Sequence, residues 1–116
     1  MQIEITHSGE STIITLVGDI DSSSAPDIQN AISKQIRENA SILLDMTGVT
    51  FLSSFGLRHL LLLKREVVDA KGKIVLVGLS DPVANVMEVT GFSSFFDAYE
   101  TVEEGLAALS DNQGAW

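Results

Sequence analysis

Apolar residues recur along this chain with two periods, one of two residues and one near 3.6, and each period marks a kind of element. Gln2–Thr6 alternates, with Ile3 and Ile5 on one face, and Thr12–Val17 is rich in β-branched residues. Ser8-Gly9-Glu10-Ser11 lies between them, so the pair predicts a β-hairpin. Gly18-Asp19-Ile20-Asp21 then breaks the alternation. Ser22–Ser24 offer capping hydroxyls and Pro26 suits a first helical turn, which predicts a helix with Ala25, Ile28, Ala31, Ile32 and Ile36 on one face. Ser41–Asp45, centred on Ile42-Leu43-Leu44, reads as a short buried strand. A strand, a helix and a second, buried strand in this order predict a crossover that joins a parallel pair.

Met46–Ser53 reads as a connecting loop, followed by a long helix from about Ser54 to Lys71 that Gly72 stops. Lys73–Val77 predicts a further strand, ended by Gly78. Asp81–Thr90 predicts a short helix with Ser80 as a possible cap, Pro82 in its first turn and Gly91 closing it. Phe95–Tyr99 predicts a weaker last strand. Thr101-Val102-Glu103-Glu104 is a capping box that opens a final helix to about Leu109. Asp111–Trp116 lacks periodicity. The order ββαβαβαβα predicts an α/β fold. The expected architecture is a four- to five-stranded mixed sheet with about four helices packed mainly on one face. One domain is expected over residues 1–110, with a flexible tail at 111–116.

A length of 116 residues fits one domain, and 45% hydrophobic against 20% charged residues is a globular composition. The absence of cysteine excludes disulfides, thiolate zinc sites and thiol catalysis, and fits a reducing compartment. A net charge of −9 argues against nucleic acid and against anionic membranes as partners. Leu60–Leu63 is far too short an apolar run for membrane insertion, and the first residues show neither a basic start nor an apolar core, so a cytoplasmic protein is expected.

Enzyme constellations are missing from the pattern. His7 and His59 lie on different elements without ligand spacing, and no phosphate loop, nucleophile elbow or kinase signature occurs. No enzyme activity, metal or cofactor is therefore expected. Asp19, Asp21 and Asp45 fall near strand ends, where α/β folds place ligands. A phospho-accepting role for Asp45 would require acidic residues at the end of the first strand, which instead ends in Thr6-His7. Asp19 and Asp21 read as turn formers and cap acceptors.

The informative stretch is Val49-Thr50-Phe51-Leu52-Ser53-Ser54-Phe55-Gly56-Leu57-Arg58, where two serines stand at the entry to the long helix. Serine is an ordinary N-cap, and loss of a cap costs about 1 kcal/mol. A hydroxyl there can also carry a phosphate, which a helix N-terminus stabilises by roughly 0.3–1 kcal/mol. Along the helix, Leu57, Leu60, Leu61, Val67 and Val68 are expected to face the sheet, and Leu62 to point outward among Arg58, His59, Glu66 and Asp69. An exposed leucine is ordinary, but in that setting it also suits a docking face. Lys64 and Arg65 flank the buried side. Phe92, Phe95 and Phe96 read as core plugs, and Trp116 has no assigned role.

The order of elements, the Gly18-Asp19-Ile20-Asp21 turn, and Leu43-Leu44-Asp45-Met46 followed by Val49–Leu57 resemble the STAS domain of the bacterial anti-sigma factor antagonist type. Lys71-Gly72-Lys73-Ile74 and Thr90-Gly91-Phe92 extend the resemblance over nearly the whole chain. It implies a phosphorylation-controlled protein switch. In the family, the serine or threonine two residues before a Gly-Leu pair is the phosphoacceptor. Counting back from Gly56-Leu57 gives Ser54, with Ser53 as the secondary candidate. Ser53 stands where the best-known members carry aspartate, and Phe55 where they carry a second serine. The resemblance implies partner contacts at Asp21, Ser53, Ser54, Phe55, Arg58, His59 and Leu62. The implied partners are an anti-sigma factor with serine-kinase activity, bound while Ser54 is unphosphorylated and released on phosphorylation, and a phosphatase that resets the switch. ATP belongs to the kinase, and no cofactor is implied for the domain. The alternative is a non-phosphorylated STAS subunit of a transport or sensory complex.

Overall fold

The computed structural model describes residues 1–111. The hairpin consists of β1 (Gln2–Ser8) and β2 (Ser11–Val17), paired antiparallel with Ser8 opposite Ser11. Gly9 closes its two-residue turn at φ 59, a conformation in which a Cβ is disfavoured. β3 (Ser41–Gly48), β4 (Lys73–Val77) and β5 (Asp97–Tyr99) then add in sequence, each parallel to the strand before it. The result is a five-stranded mixed sheet of order β1-β2-β3-β4-β5. The connections are α1 (Ala25–Ser33), α2 (Ser54–Asp69) and α3 (Asp81–Val89), and α4 (Val102–Asp111) follows β5.

Alternation along the strands divides the core in two. Ile14, Leu16, Ile42, Leu44, Met46 and Leu76 meet α1, α2 and α3 on one face. Leu43, Val75 and Val77 meet Leu109 of α4 on the other. The helices therefore lie mainly, but not wholly, on one face. β3 and β4 are covered on both faces, which is why Ile42-Leu43-Leu44 and Ile74–Val77 are continuous apolar runs.

Several boundaries differ from the sequence expectation. β3 continues to Gly48 instead of ending at Asp45, although its apolar run has stopped. Asp45 Oδ1 accepts from Thr47 N at 3.0 Å and from Thr47 Oγ1 at 2.7 Å, and Gly18 N donates to Gly48 O at 3.0 Å, so backbone pairing outlasts the hydrophobic signal. α1 ends at Ser33, and Ile36 reaches the core from the following turn. The predicted strand at Phe95–Tyr99 divides into a 3-10 turn, Ser93–Phe95, and the shorter β5. Of the three phenylalanines expected in the core, Phe96 is buried and Phe92 half-buried. Phe95 is exposed, its ring tilted against Phe92 at 5.6 Å. α4 carries the predicted capping box, with Glu104 N donating to Thr101 Oγ1 at 3.1 Å and Thr101 N to Glu104 Oε1 at 3.2 Å. It runs to Asp111, past Leu109 and into the segment expected to be tail, and Trp116 lies outside the described residues.

The buried face of α2 is also corrected. Gly56, Leu60, Leu63 and Val67 form one stripe at i, i+4, i+7 and i+11, with Leu57 beside it. Leu63 is fully buried, whereas Val68, expected to face the sheet, is 55% exposed. At 100° per residue the true face is rotated by about 50° toward Leu63. The cause is Gly56, which lies against Ile20 so closely that a Cβ would stand 2.8 Å from the Ile20 carbonyl oxygen. A glycine contributes no apolar side chain to a periodicity, yet here it sets the rotation of the helix. No helix among the described residues is long and apolar enough to cross a membrane.

Candidate functional site

Beyond the ends of β2 and β3 the two chain segments remain together. Ile20 N donates to Phe51 O and Ser53 N to Ile20 O, both at 2.9 Å, and Ile20 bridges Leu52 in parallel. This places the entry to α2 at the C-terminal ends of parallel strands, where α/β folds carry functional groups. Gly56 then seats the first turn of α2 on Ile20. The helix N-terminus is thus fixed by backbone on one side and by the Leu57–Leu60 core on the other.

The two serines divide the work at this point. Ser53 is the N-cap, with extended dihedrals (φ −80, ψ 164), and its Oγ accepts from Gly56 N at 3.0 Å. Its carbonyl accepts from Leu57 N at 2.9 Å. The cap is therefore not Ser54, and the cost of losing it belongs to Ser53. Ser54 is the first helical residue and is exposed, and its hydroxyl has no partner among the described residues. Among the described residues the backbone N–H groups of Ser54 and Phe55 have no partner, which leaves them as the open donors of the first turn, at the positive end of the helix dipole. No acidic residue occupies that turn, and Arg58 follows Ser54 by one helical turn.

Phe55, Arg58, His59 and Leu62 recur at i, i+3, i+4 and i+7, so they form one outward stripe on α2. Phe55 is 45% and Leu62 42% exposed. The Phe55 ring lies 4.9 Å from the His59 ring, and His59 Nδ1 lies 2.6 Å from Gln29 Oε1, which ties the stripe to α1. Ser33 Oγ makes a second tie, donating to Glu66 Oε2 at 3.1 Å. Phe51, half exposed, stands in the segment before the serines, and no apolar periodicity marks it. A signal for it exists: between Asp45 and Glu66 the chain has no acidic residue, although it has 16 in all. That acid-free window contains Phe51 and every candidate residue of the site except Asp21.

Asp21 is held beside the site through Ile20, but its carboxylate serves its own turn. Oδ1 accepts from Ser23 Oγ at 2.8 Å, Ser23 N at 3.0 Å and Ser24 N at 3.1 Å. Ser24 Oγ returns the contact, accepting from Asp21 N at 3.0 Å and donating to Asp19 O at 2.7 Å. This reciprocal pair is a capping arrangement ahead of α1, as expected of a cap acceptor. The hydrogen bond from the Ser23 hydroxyl, followed by the Ser24 and Ser23 amides, holds the Asp21 carboxyl below its ordinary value.

Comparison with known proteins gives this geometry a family. The STAS domain model matches residues 2–105. BtrV of Bordetella bronchiseptica, a candidate anti-sigma factor antagonist, is 30% identical over 98 residues, 84% of each chain. The anti-sigma factor antagonist SpoIIAA, solved in its unphosphorylated form, superposes with a TM-score of 0.75 at 20% identity, covering 95% of this chain and 97% of that one. SpoIIAA of Bacillus in its phosphorylated form superposes at 0.66 and 20% identity, covering 92% and 98%. Part of the murine anion transporter Slc26a9 superposes with a TM-score of 0.78 at 18% identity, covering 89% of this chain but only 18% of the transporter. The structural likenesses show the shared fold, and the family match covers most of the sequence. The chain belongs to the STAS domain family, with anti-sigma factor antagonists among its relatives.

Proposed function

We propose that this chain is an anti-sigma factor antagonist working as a phosphorylation-controlled switch, with Ser54 as the phosphoacceptor. Unphosphorylated, the face carrying Phe51, Ser53, Ser54, Phe55, Arg58, His59 and Leu62 docks on an anti-sigma factor with serine-kinase activity. Docking frees the sigma factor which that partner otherwise holds. The kinase then transfers the γ-phosphoryl group of its ATP to Ser54 Oγ, whose proton leaves to a base of the kinase. A phosphatase hydrolyses the ester and resets the switch. The domain itself turns over no substrate and acts in the cytoplasm.

The observation that carries this reading is the division between the serines. Ser53 caps the helix, so the Ser54 hydroxyl is free of structural duty and open to a kinase. A phosphate there meets the open Ser54 and Phe55 amides, an interaction worth roughly 0.3–1 kcal/mol. Arg58 at i+4 adds about 0.2–0.5 kcal/mol. The fold therefore tolerates the modification. The docking face does not, because about −1.5 to −2 charges arrive between two exposed phenylalanines that must be desolvated for contact.

The test is incubation with the cognate kinase and ATP, with the site read by fragment mass spectrometry. Ser54→Ala should abolish labelling and keep partner binding, Ser54→Asp should weaken binding, and Ser53→Ala should still be labelled. Phosphate that persists in Ser54→Ala and vanishes in Ser53→Ala would place the acceptor one residue earlier. If neither serine is labelled and the chain co-purifies with a transporter or sensory complex, the unphosphorylated-subunit reading replaces the switch.

A further inference from the structure

We infer that the groove between α2 and the 3-10 turn at Ser93–Phe95 is a docking site for an acidic amphipathic helix of a protein partner. The groove has a volume of about 480 Å³. Its floor is apolar, formed by Leu61, Leu62, Val68, Phe92 and Phe95. Leu62, Val68 and Phe95 are three of the eight large hydrophobic side chains exposed on the described surface, and they lie together in this one groove.

The rim decides the occupant. Arg58, Lys64 and Arg65 border the groove and Asp69 is the one carboxylate on it. These are three of the seven basic residues in a chain of net charge −9. In a chain with 16 acidic residues this groove sets three cations against one carboxylate around an apolar floor, which selects a partner with acidic flanks and apolar anchors. Lys64 is held in place, its Nζ 5.5 Å from the centre of the Phe96 ring, so part of the rim is already ordered. The shape adds length. The α2 residues of the lining run from Arg58 to Asp69, about 16 Å or three helical turns. An apolar groove of that length beside a helix matches the apolar stripe of a second helix. Arg58 and Leu62 belong both to this groove and to the Ser54 face, but the inference rests on charge and shape and not on phosphorylation.

The probe is a synthetic helical peptide of about 15 residues with Leu at i, i+3, i+4 and i+7 and Glu on its other face. It would be titrated into the full chain while backbone amides are followed by NMR. Shifts are expected at Arg65, Val68, Phe92 and Phe95, with affinity falling as salt rises. Arg65→Glu and Phe95→Ser change exposed groove residues outside the Ser54 face, and each should weaken binding about tenfold. Lys71→Glu makes the same charge change beyond the end of α2 and should leave binding within about twofold. Equal binding of a Lys-faced version of the peptide, or no shift in the groove, overturns the proposal. Binding of phosphatidylglycerol vesicles in preference to the peptide would make the groove a lipid site and overturn it as well. Self-association through the same residues, seen by sedimentation without peptide and lost in Phe95→Ser, would make the occupant a second copy. None of these failures touches the labelling of Ser54.

Discussion

Replacing Gly56 by alanine sets two effects of opposite sign against each other. Alanine is favoured over glycine in a helix by about 1 kcal/mol, so propensity alone expects a more stable protein. The packing expects the reverse. A Cβ at this position would stand 2.6 Å from Ile20 Cγ2, 2.8 Å from Ile20 O and 3.1 Å from Ile20 C. Ile20 is buried and β-branched, so its side chain has few other places to go. Its carbonyl accepts from Ser53 N and its amide donates to Phe51 O, so its backbone cannot retreat without breaking the link between the two segments. The remaining response is for α2 to lift, which loosens Leu60, Leu63 and Val67. Overpacking of this kind costs typically 1–3 kcal/mol, and a clash with backbone as well as side-chain atoms puts this site in the upper part of that range, at about 2–3 kcal/mol, so about 1–2 kcal/mol remains after the propensity gain. That corresponds to a loss of roughly 4–10 °C in Tm for a domain of this size. Urea and thermal unfolding followed by circular dichroism measure it, with the urea slope expected unchanged. A Tm equal to or above that of the parent would refute the argument that Gly56 fixes the helix by close approach.

The same unfolding assays separate the serines. Ser53→Ala should cost about 1 kcal/mol as a lost cap, and Ser54→Ala should stay within about 0.5 kcal/mol; the opposite order would move the cap to Ser54. Leu63→Ala should cost about 2–5 kcal/mol and Val68→Ala less than about 0.5 kcal/mol, whereas comparable losses would restore the helix face expected from periodicity. For Asp21 the folded pKa is depressed, so its contribution to stability is present above the unfolded value and lost as pH falls through the folded one. NMR titration of the Asp21 carboxyl should give a midpoint below the ordinary aspartate value, and Ser23→Ala should raise it; an unchanged midpoint in Ser23→Ala would remove the hydroxyl as the leading cause.

The order of elements is legible in the sequence because glycine and proline punctuate it. Gly9, Gly72, Gly78 and Gly91 stand at element ends, and Pro26 and Pro82 stand in first turns. What is not legible depends on contacts that leave no apolar mark. β3 goes on through Thr47 and Gly48 because backbone pairing with Val17 continues where the hydrophobic run has stopped. The rotation of α2 is left open by four consecutive leucines, Leu60–Leu63, and the close approach of Gly56 to Ile20 fixes it. Phe95 reads as core when a strand is drawn through it, and the 3-10 turn instead carries it to the surface. Spacing to Gly56-Leu57 singles out Ser54 as the expected acceptor. Which serine caps the helix does not follow, since both suit the role and only the extended dihedrals of Ser53 decide it. Phe51 has no periodic neighbours to reveal it, and the gap in acidic residues from Asp45 to Glu66 is the one sequence feature that marks its surroundings.

That gap also bears on how a phosphate would act here. On a surface of net charge −9, one more negative group would matter little wherever carboxylates are already dense. The entry to α2 has none in its first turn, and its nearest charge on the helix is the cation of Arg58. A phosphate would therefore bring negative charge to a turn that has none. The backbone around it has little freedom to respond, because Gly56 is pressed on Ile20 and Ser53 already closes the cap. A rigid mount turns a charge change into an affinity change without passing through a change of fold. On the proposed reading, the parent and the Ser54→Asp variant should then share a backbone and differ in partner affinity. An amide spectrum that changes beyond the first turn of α2 in that variant would contradict a switch confined to the interface.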